Sequence, residues 1–242
     1  MGLLMVTCAP MLGYFSYTRL KKYREDRTNL INYYYFAAAG AVSLAVFFYG
    51  FPSLLFPRSN ALIAAGTAIA TVLNAVGFSY FLLVPLHRYI QKKTYIILKH
   101  FVFLLAAGIA GMVLLFPPHS TLDSSGVIHW GFNSYTQWTM LTLITAAFVP
   151  NILLIWRNLK ILKRFSAFNA LALMLTFLTT GIGGGYLYIG DDRMFLPLAT
   201  VLLFFGISII FFSSVLTTMG LHRSPKEDFL AVHGEKKEEM PV

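Results

Sequence analysis

Few residues of this chain are candidates for catalysis or ligand binding, because acidic and basic side chains are almost confined to short segments between apolar runs. The most conspicuous polar residue inside an apolar run is Asn74, with Thr67, Thr71 and Ser79 nearby. Polar side chains inside a membrane need a partner, so this amide either contacts a ligand or hydrogen-bonds to a neighbouring helix. Both interpretations stay open at this point.

Catalysis and metal binding find little support in the sequence. Segment 117–133 holds His119, Asp123 and His129, but a histidine spacing of ten does not place both rings on one face of a helix. Solvated histidines are therefore expected, and no metal site is predicted. The apolar runs lack Asp, Glu, Lys and Arg, and the chain lacks HExxH and GxSxG motifs. We expect no enzyme, no catalytic residue and no cofactor.

Aromatic residues and glycines supply the remaining candidate ligand contacts. Trp130 and Trp138 precede and open an apolar run, where rings usually anchor a helix at the membrane interface, with ligand contact as the alternative. Gly183, Gly184 and Gly185 lie in a cluster that lowers helix propensity by about 1 kcal/mol per glycine. We expect the end of their helix to bend or unwind. The predicted pocket combines these five residues with the buried amide.

These candidate residues lie in or between long apolar runs, which predict helices. Of the 242 residues, 57% are apolar and 12% are charged, whereas soluble domains have about a quarter charged residues. Runs of about 20 apolar residues without alternation indicate membrane-spanning helices rather than strands. The predicted fold is all-α, a polytopic integral membrane protein with a seven-transmembrane helix bundle in residues 1–220. The predicted spans are 2–19, 31–55, 61–86, 98–116, 134–156, 167–189 and 195–220.

Small residues within these runs predict close packing between helices. Gly66 lies in the third run, and Gly108 and Gly111 lie in the fourth. Helix association in lipid relies on close approach of backbones, which small side chains permit.

The cations predict the orientation of the bundle. Seventeen of the 19 Lys and Arg residues fall on one side of the seven spans, and only Arg58 and Arg193 fall on the other. The positive-inside rule places that cation-rich side in the cytoplasm, the N-terminus outside and the C-terminus inside. The net charge of +9 thus indicates topology rather than nucleic-acid binding, and a multi-pass protein of the inner (plasma) membrane is expected.

Any output must pass to another molecule. The predicted cytoplasmic tail, 221–242, is polar and disordered, and it is too short for a core. We predict an output surface at Arg157, Lys160, Lys163 and Arg164, which follow the fifth span. The expected partners are the lipid bilayer and either a separate signalling protein or a second copy of the chain.

The layout resembles the seven-helix N-terminal sensor region of bacterial histidine kinases. The resemblance is carried by the basic first inner loop and by residues 126–164, GVIHWGFNSYTQWTMLTLITAAFVPNILLIWRNLKILKR. It implies a non-enzymatic, stand-alone sensor of a ligand or a membrane state, because the phosphoacceptor and ATP-binding domains of that family are missing from this sequence. It supplies no catalytic residues.

A small-solute transporter is the alternative. The chain also resembles sugar carriers with a three-plus-one-plus-three helix plan, in which the first three spans repeat as the last three. An offset of 140 residues pairs Pro10 with Pro150 and Gly50 with Gly190, although most other pairs differ. An accessory subunit of a membrane complex is the third possibility.

The predicted orientation has a direct test. In intact cells, a protease-cleavable tag before Met1 should be removed by external protease, whereas the same tag after Val242 should be protected until the cells are lysed. Protection of both tags on the same face would contradict an odd number of spans.

Overall fold

The computed structural model describes residues 1–159, 164–190 and 195–219, and within them the side chains of all but residues 164–166. The predicted tail 221–242 and the predicted output residues Lys160 and Lys163 lie outside the described residues.

Seven helices and one short β-hairpin make up the described part of the chain. The hairpin is a local departure from the all-α prediction, and each predicted span coincides with one helix. The elements are α1 (Gly2–Glu25), α2 (Leu30–Leu55), α3 (Asn60–Tyr89), α4 (Lys92–Leu115), β1 (Thr121–Leu122), β2 (Ile128–His129), α5 (Ser134–Leu159), α6 (Arg164–Ile189) and α7 (Phe195–Thr218).

Six of these helices, α2 to α7, are long and apolar enough to cross a membrane, which makes the chain a multi-pass membrane protein. Their outward faces carry large apolar side chains, such as Leu104, Leu114 and Leu115, which are 70–80% exposed. Such faces are stable when lipid rather than water surrounds them. Helix α1 ends in a basic turn with Lys22 and Arg24 and is not among the six. The seven-span count and the orientation therefore stay predictions.

The helices form one closed ring with α4 outside it. Around the ring, α1 packs on α2, α2 on α3, α3 on α5, α5 on α6, α6 on α7, and α7 on α1. Helix α4 packs mainly on α3 and crosses back outside the ring. As a consequence, α3 and α5 are neighbours that run in the same direction, and so are α7 and α1.

Helix α1 is held firmly in the ring although it is the least apolar helix. The hydroxyl of Ser43 in α2 donates to the carbonyl of Ala9 at 2.7 Å, and the hydroxyl of Ser16 donates to the carbonyl of Phe36 at 2.9 Å. A Cβ added at Gly50 would lie 2.8 Å from the Cβ of Met5. Small residues and hydroxyls thus bring the two backbones together, as expected for helices in lipid.

The glycine cluster of α6 remains helical through Ile189, so the expectation that it unwinds is wrong. A Cβ at Gly183 would lie 2.6 Å from the carbonyl oxygen of Ala199 in α7, and Thr176 donates to the carbonyl of Gly206 at 2.9 Å. Packing against α7 holds the helix and outweighs its low intrinsic propensity.

The packing predicted from small residues is confirmed for α3 and wrong for α4. A Cβ at Gly66 would lie 2.5 Å from the ring of Pro52 in α2. At Gly108 and Gly111, no atom of the described residues lies within 4 Å of such a Cβ. These two glycines face outward because α4 has only one close neighbour.

A proline in α3 removes a backbone donor that a side chain from α5 replaces. Pro85 has no N–H, so the carbonyl of Phe81 lacks its helical donor. The side-chain amide of Asn151 in α5 replaces that donor at 2.8 Å and also donates to the carbonyl of Ala147 at 2.6 Å. The hydroxyl of Tyr35 lies 3.4 Å from Oδ1 of Asn151, which ties α2 to the same point.

Replacement of this amide should destabilise the ring. We expect Asn151→Leu to lower the free energy of unfolding by about 1–2 kcal/mol, because it leaves the carbonyl of Phe81 unpaired in an apolar interior. Asn158→Leu is the matched control, since the one acceptor for Asn158 among the described residues is the carbonyl of Leu154 in its own helix. It should change stability by less than about 0.5 kcal/mol. Denaturant titration in mixed micelles measures both, and equal losses would contradict the assignment.

Candidate ligand-binding site

The α4–α5 loop, residues 117–133, folds into a hairpin because its turn residues permit it. The carboxylate of Asp123 accepts bonds from the backbone N–H groups of Ser125 and Val127, both at 2.9 Å, and from the Ser125 hydroxyl at 2.6 Å. Gly126 closes the turn at φ +80°, a conformation that favours glycine. β1 and β2 then pair antiparallel, with Thr121 opposite His129.

This hairpin loop plugs one end of the helix ring, where α2 and α6 end and α3 begins. Trp130 is only 3% exposed, and its ring centroid lies 4.6 Å from that of Tyr49. The ring centroids of Phe132 and Tyr188 are 4.9 Å apart. The hydroxyl of Ser120 donates to the carbonyl of Trp130 at 2.7 Å and lies 3.0 Å from the hydroxyl of Thr67. The loop thus inserts two aromatic rings between the helices.

Below the plug lies a cavity inside the ring. Its empty volume is about 750 Å³, part of which is open to the surroundings. The walls are mostly apolar and aromatic, with a few hydroxyl and amide groups, a composition typical of ligand-binding pockets. The lining comes from α1, α2, α3, α5, α6, α7 and the plug.

A chain of hydrogen bonds crosses the plugged end of the cavity. The amide nitrogen of Asn74 donates to the hydroxyl of Tyr188 at 3.1 Å. The hydroxyls of Tyr188 and Tyr49 are 2.6 Å apart, and that of Tyr49 lies 3.2 Å from the hydroxyl of Thr71. Thr71 donates to the carbonyl of Thr67 at 2.8 Å. The donors can therefore run in one direction, from Asn74 through both tyrosines to α3.

Two residues that line the cavity carry a buried polar atom without a hydrogen-bond partner in the described part of the chain. These atoms are Oδ1 of Asn74 and Nε1 of Trp130, in side chains that are 6% and 3% exposed. The hydroxyl of Thr136, in the first turn of α5, is also without such a partner but lies outside the lining. Exchanging the two atoms of the Asn74 amide would leave its nitrogen unpaired instead. An unpaired buried polar atom costs about 1–3 kcal/mol. One acceptor and one donor are therefore available on residues that line the cavity.

Phenylalanines form the opposite end of the cavity. Phe177 of α6 lies 5.3 Å from Phe81 and 5.2 Å from Phe148, measured between ring centroids. On its other side it stacks on Tyr35 at 6.4 Å. The guanidinium of Arg19 lies 5.5 Å from the ring of Tyr35. An apolar floor thus separates the cavity from a cation near the far end of α1.

The structure brings three of the six predicted ligand-site residues together. Asn74, Trp130 and Gly184 line the cavity, and no described atom lies within 4 Å of a Cβ at Gly184. Gly183 faces α7, as described above. A Cβ at Gly185 would lie 3.3 Å from Leu141 of α5, and Trp138 is 65% exposed on the outer surface, so these three lie outside the lining.

The two predicted output residues that the structure describes, Arg157 and Arg164, lie at the other end of the helices. Arg157 is exposed in the last turn of α5, and Arg164 begins α6. Both positions lie at the helix ends opposite the plugged end, which suits a surface separate from the cavity.

Sequence reasoning missed three residues that shape the site. Tyr49 and Tyr188 lie near the ends of α2 and α6, so each occupies a similar place in its half of the ring. Tyr49 directly precedes Gly50 and Tyr188 lies two residues before Gly190. This similar position before the two glycines that the 140-residue offset pairs was the available signal. Asn151 was signalled only by following Pro150 inside an apolar run.

Of the two loop histidines, His119 is exposed as expected, whereas His129 is half-buried beside Asp123. Nε2 of His129 lies 3.5 Å from Oδ2 of Asp123, because strand pairing folds the loop back on itself. Within the described residues, no group of three or more His, Cys, Asp or Glu side chains could hold a metal ion.

No protein-family model, curated protein or solved structure matches this chain. Its function is therefore inferred from the cavity and the residues around it.

The plug should loosen in acid. The Ser125 hydroxyl and the Val127 N–H lower the pKa of Asp123 to about 2, below its ordinary value of about 3.9. A depressed pKa stabilises the folded loop above the ordinary value, and this stabilisation is lost as the pH falls toward 2. In a Trp138→Phe/Trp156→Phe background, acrylamide quenching of Trp130 should rise between about pH 4 and pH 2.

Asp123→Asn is the control for this titration. The asparagine keeps an acceptor oxygen for the turn but does not titrate, so its quenching should be flat over the same range. A rise of equal size in both proteins would show that another group controls the loop.

Proposed function

We propose that the protein is a non-enzymatic membrane sensor whose internal cavity binds a ligand. The observation that supports this most directly is a cavity, capped at one end by the plug, whose lining residues carry one unpaired acceptor and one unpaired donor. Pre-formed apolar cavities with a few polar groups are typical of small-molecule binding sites. In this proposal the chain crosses the inner (plasma) membrane seven times, with α1 as the first span.

The proposed orientation places the plug outside and the basic turns in the cytoplasm. The cations Arg19, Lys21, Lys22, Arg24 and Arg27 at the end of α1 and in the turn that follows support this arrangement under the positive-inside rule. The ligand would then enter from the outer leaflet or the external medium, opposite the output surface.

The proposed signal passes through the aromatic floor. A ligand that displaces Phe177 or Phe81 changes the contacts of Tyr35 and of the Asn151 amide beneath them. Arg19 packs on the same tyrosine. Ligand binding would therefore favour one of two helix arrangements, as a shift of populations. A separate cytoplasmic signalling protein or a second copy of the chain would read the change at Arg157, Arg164 and the two lysines predicted between them.

A small-solute transporter is the second candidate, because α4 lies outside the ring and separates α1–α3 from α5–α7. This arrangement suits a three-plus-one-plus-three plan in which two triplets enclose a central path.

Filling the cavity should imitate a permanent ligand. We expect Gly184→Leu to change by several-fold the rate at which a maleimide labels Thr28→Cys in a Cys8→Ser background. The larger side chain would favour one helix arrangement, and residue 28, which is exposed at the far end of the ring, would report that shift. Gly108→Leu is the matched control, since a Cβ there also meets open space but outside the ring. It should leave the labelling rate unchanged.

The same proteins separate the two functions. Vesicles containing only the wild-type chain should not take up a labelled monosaccharide faster than protein-free vesicles if the protein is a sensor. Uptake that Gly184→Leu abolishes and Gly108→Leu preserves would favour the transporter. Equal labelling in both leucine variants, without uptake, would contradict both proposals.

A further inference from the structure

We infer that the ligand of this cavity is an uncharged, slim amphiphile whose head group both donates and accepts a hydrogen bond, with a primary alkanol as its simplest form. This inference rests on the proposed function, because it names the class of molecule that the same cavity takes. Its support comes from the charge, the polar atoms and the aromatic walls of the cavity.

The charge of the lining excludes ionised head groups. None of the described residues that line the cavity is an Asp, Glu, Lys or Arg. Burial of an ion without a partner of opposite charge is strongly unfavourable. The rings of Tyr49, Trp130, Phe132 and Tyr188 would attract an alkylammonium. A cation has no acceptor for the N–H of Trp130, however, so that donor would stay unpaired.

The hydrogen-bond chain specifies a donor on the ligand. Asn74 begins the directed series of donors that passes through Tyr188 and Tyr49 to α3. Its Oδ1 is an acceptor for which the described residues supply no donor. A ligand hydroxyl that donates to this oxygen extends the series by one member, and bonds in such a series strengthen one another.

The plug specifies an acceptor on the same ligand. Nε1 of Trp130 can only donate, and none of the described groups accepts from it. The indole packs on Tyr49, whose hydroxyl belongs to the series of donors, so both unpaired atoms lie at the plugged end. A hydroxyl oxygen accepts while its hydrogen donates, so a hydroxyl is the smallest head group that offers both.

The packed aromatic walls specify the apolar part. The rings of Phe81, Phe148 and Phe177 contact one another, with centroids 5.2–5.8 Å apart. An unbranched chain is the slimmest organic group, whereas a fused ring would displace the packed phenylalanines. Phe78, Phe81, Phe148 and Phe177 line the way from the polar end, so a chain runs along apolar walls.

Fluorescence of Trp130 tests the inference in the full chain. The Trp138→Phe/Trp156→Phe protein, held in phosphatidylcholine nanodiscs, is titrated with primary alkanols from hexanol to tetradecanol. We expect saturable shifts in Trp130 emission, with binding that strengthens along the series and then stops when the chain outgrows the cavity. The n-alkane, the alkanoate and the alkyltrimethylammonium of equal length should each bind at least about tenfold more weakly.

Two leucine variants identify where the probe binds. Gly184→Leu should abolish the saturable shift, whereas Gly108→Leu should keep it, because both proteins allow the same partition of alkanol into lipid. Asn74→Leu should weaken alkanol binding about tenfold and leave alkane binding unchanged. If Asn74→Leu fails to fold, the comparison of head groups on the otherwise wild-type cavity decides the question.

Failures of the two proposals give different results. Alkanes that bind as tightly as alkanols, or ions that bind more tightly, would overturn the ligand class and leave the cavity as the input site. Saturable binding that persists equally in Gly184→Leu and Gly108→Leu would overturn the cavity itself. Absence of saturable binding by any alkanol would show that water alone satisfies the two polar atoms, which overturns the inference.

Discussion

The structure depends on one constraint, that lipid offers no hydrogen bonds to a buried polar group. Hydroxyls inside the helices therefore bond to carbonyls one turn earlier, as Thr67 does to Ile63 and Ser79 to Ala75. Where Pro85 removes a backbone donor, an amide from another helix replaces it. Against this background the unpaired atoms of Asn74 and Trp130 stand out, because they lie where the ring leaves space for another molecule.

The helices were predictable from sequence because that constraint acts locally. A long apolar run must be helical in lipid, so its length and its flanking charges predict the element and approximate ends. The ring order and the outward position of Gly108 were not predictable, since small residues indicate a packing face without naming the neighbour. The glycines of α6 misled for the related reason that helix propensity is weak compared with packing against α7.

The site was predictable only in part. Asn74 could be recognised because an amide is rare in an apolar run. Trp130 could be identified as a candidate but not placed, because interface anchors and cavity rings share the same residue type. Its burial follows from a hairpin whose turn, around Asp123 and Gly126, brings distant positions together. The hydrogen bond between Tyr49 and Tyr188 joins residues 139 positions apart, so it can be identified only when the order of the helices in the ring is known.

The position of α4 also affects the electrostatics of the bundle. With α4 outside, the ring contains four helices that start at the plugged end, α1, α3, α5 and α7, and only two that finish there, α2 and α6. Each helix terminus carries roughly half an elementary charge, positive at its start and negative at its finish. The macrodipoles thus leave an excess of roughly one positive charge at the plugged end and one negative charge opposite. The lysines and arginines gathered around that opposite end compensate the excess, so the arrangement of the ring and the distribution of cations support each other.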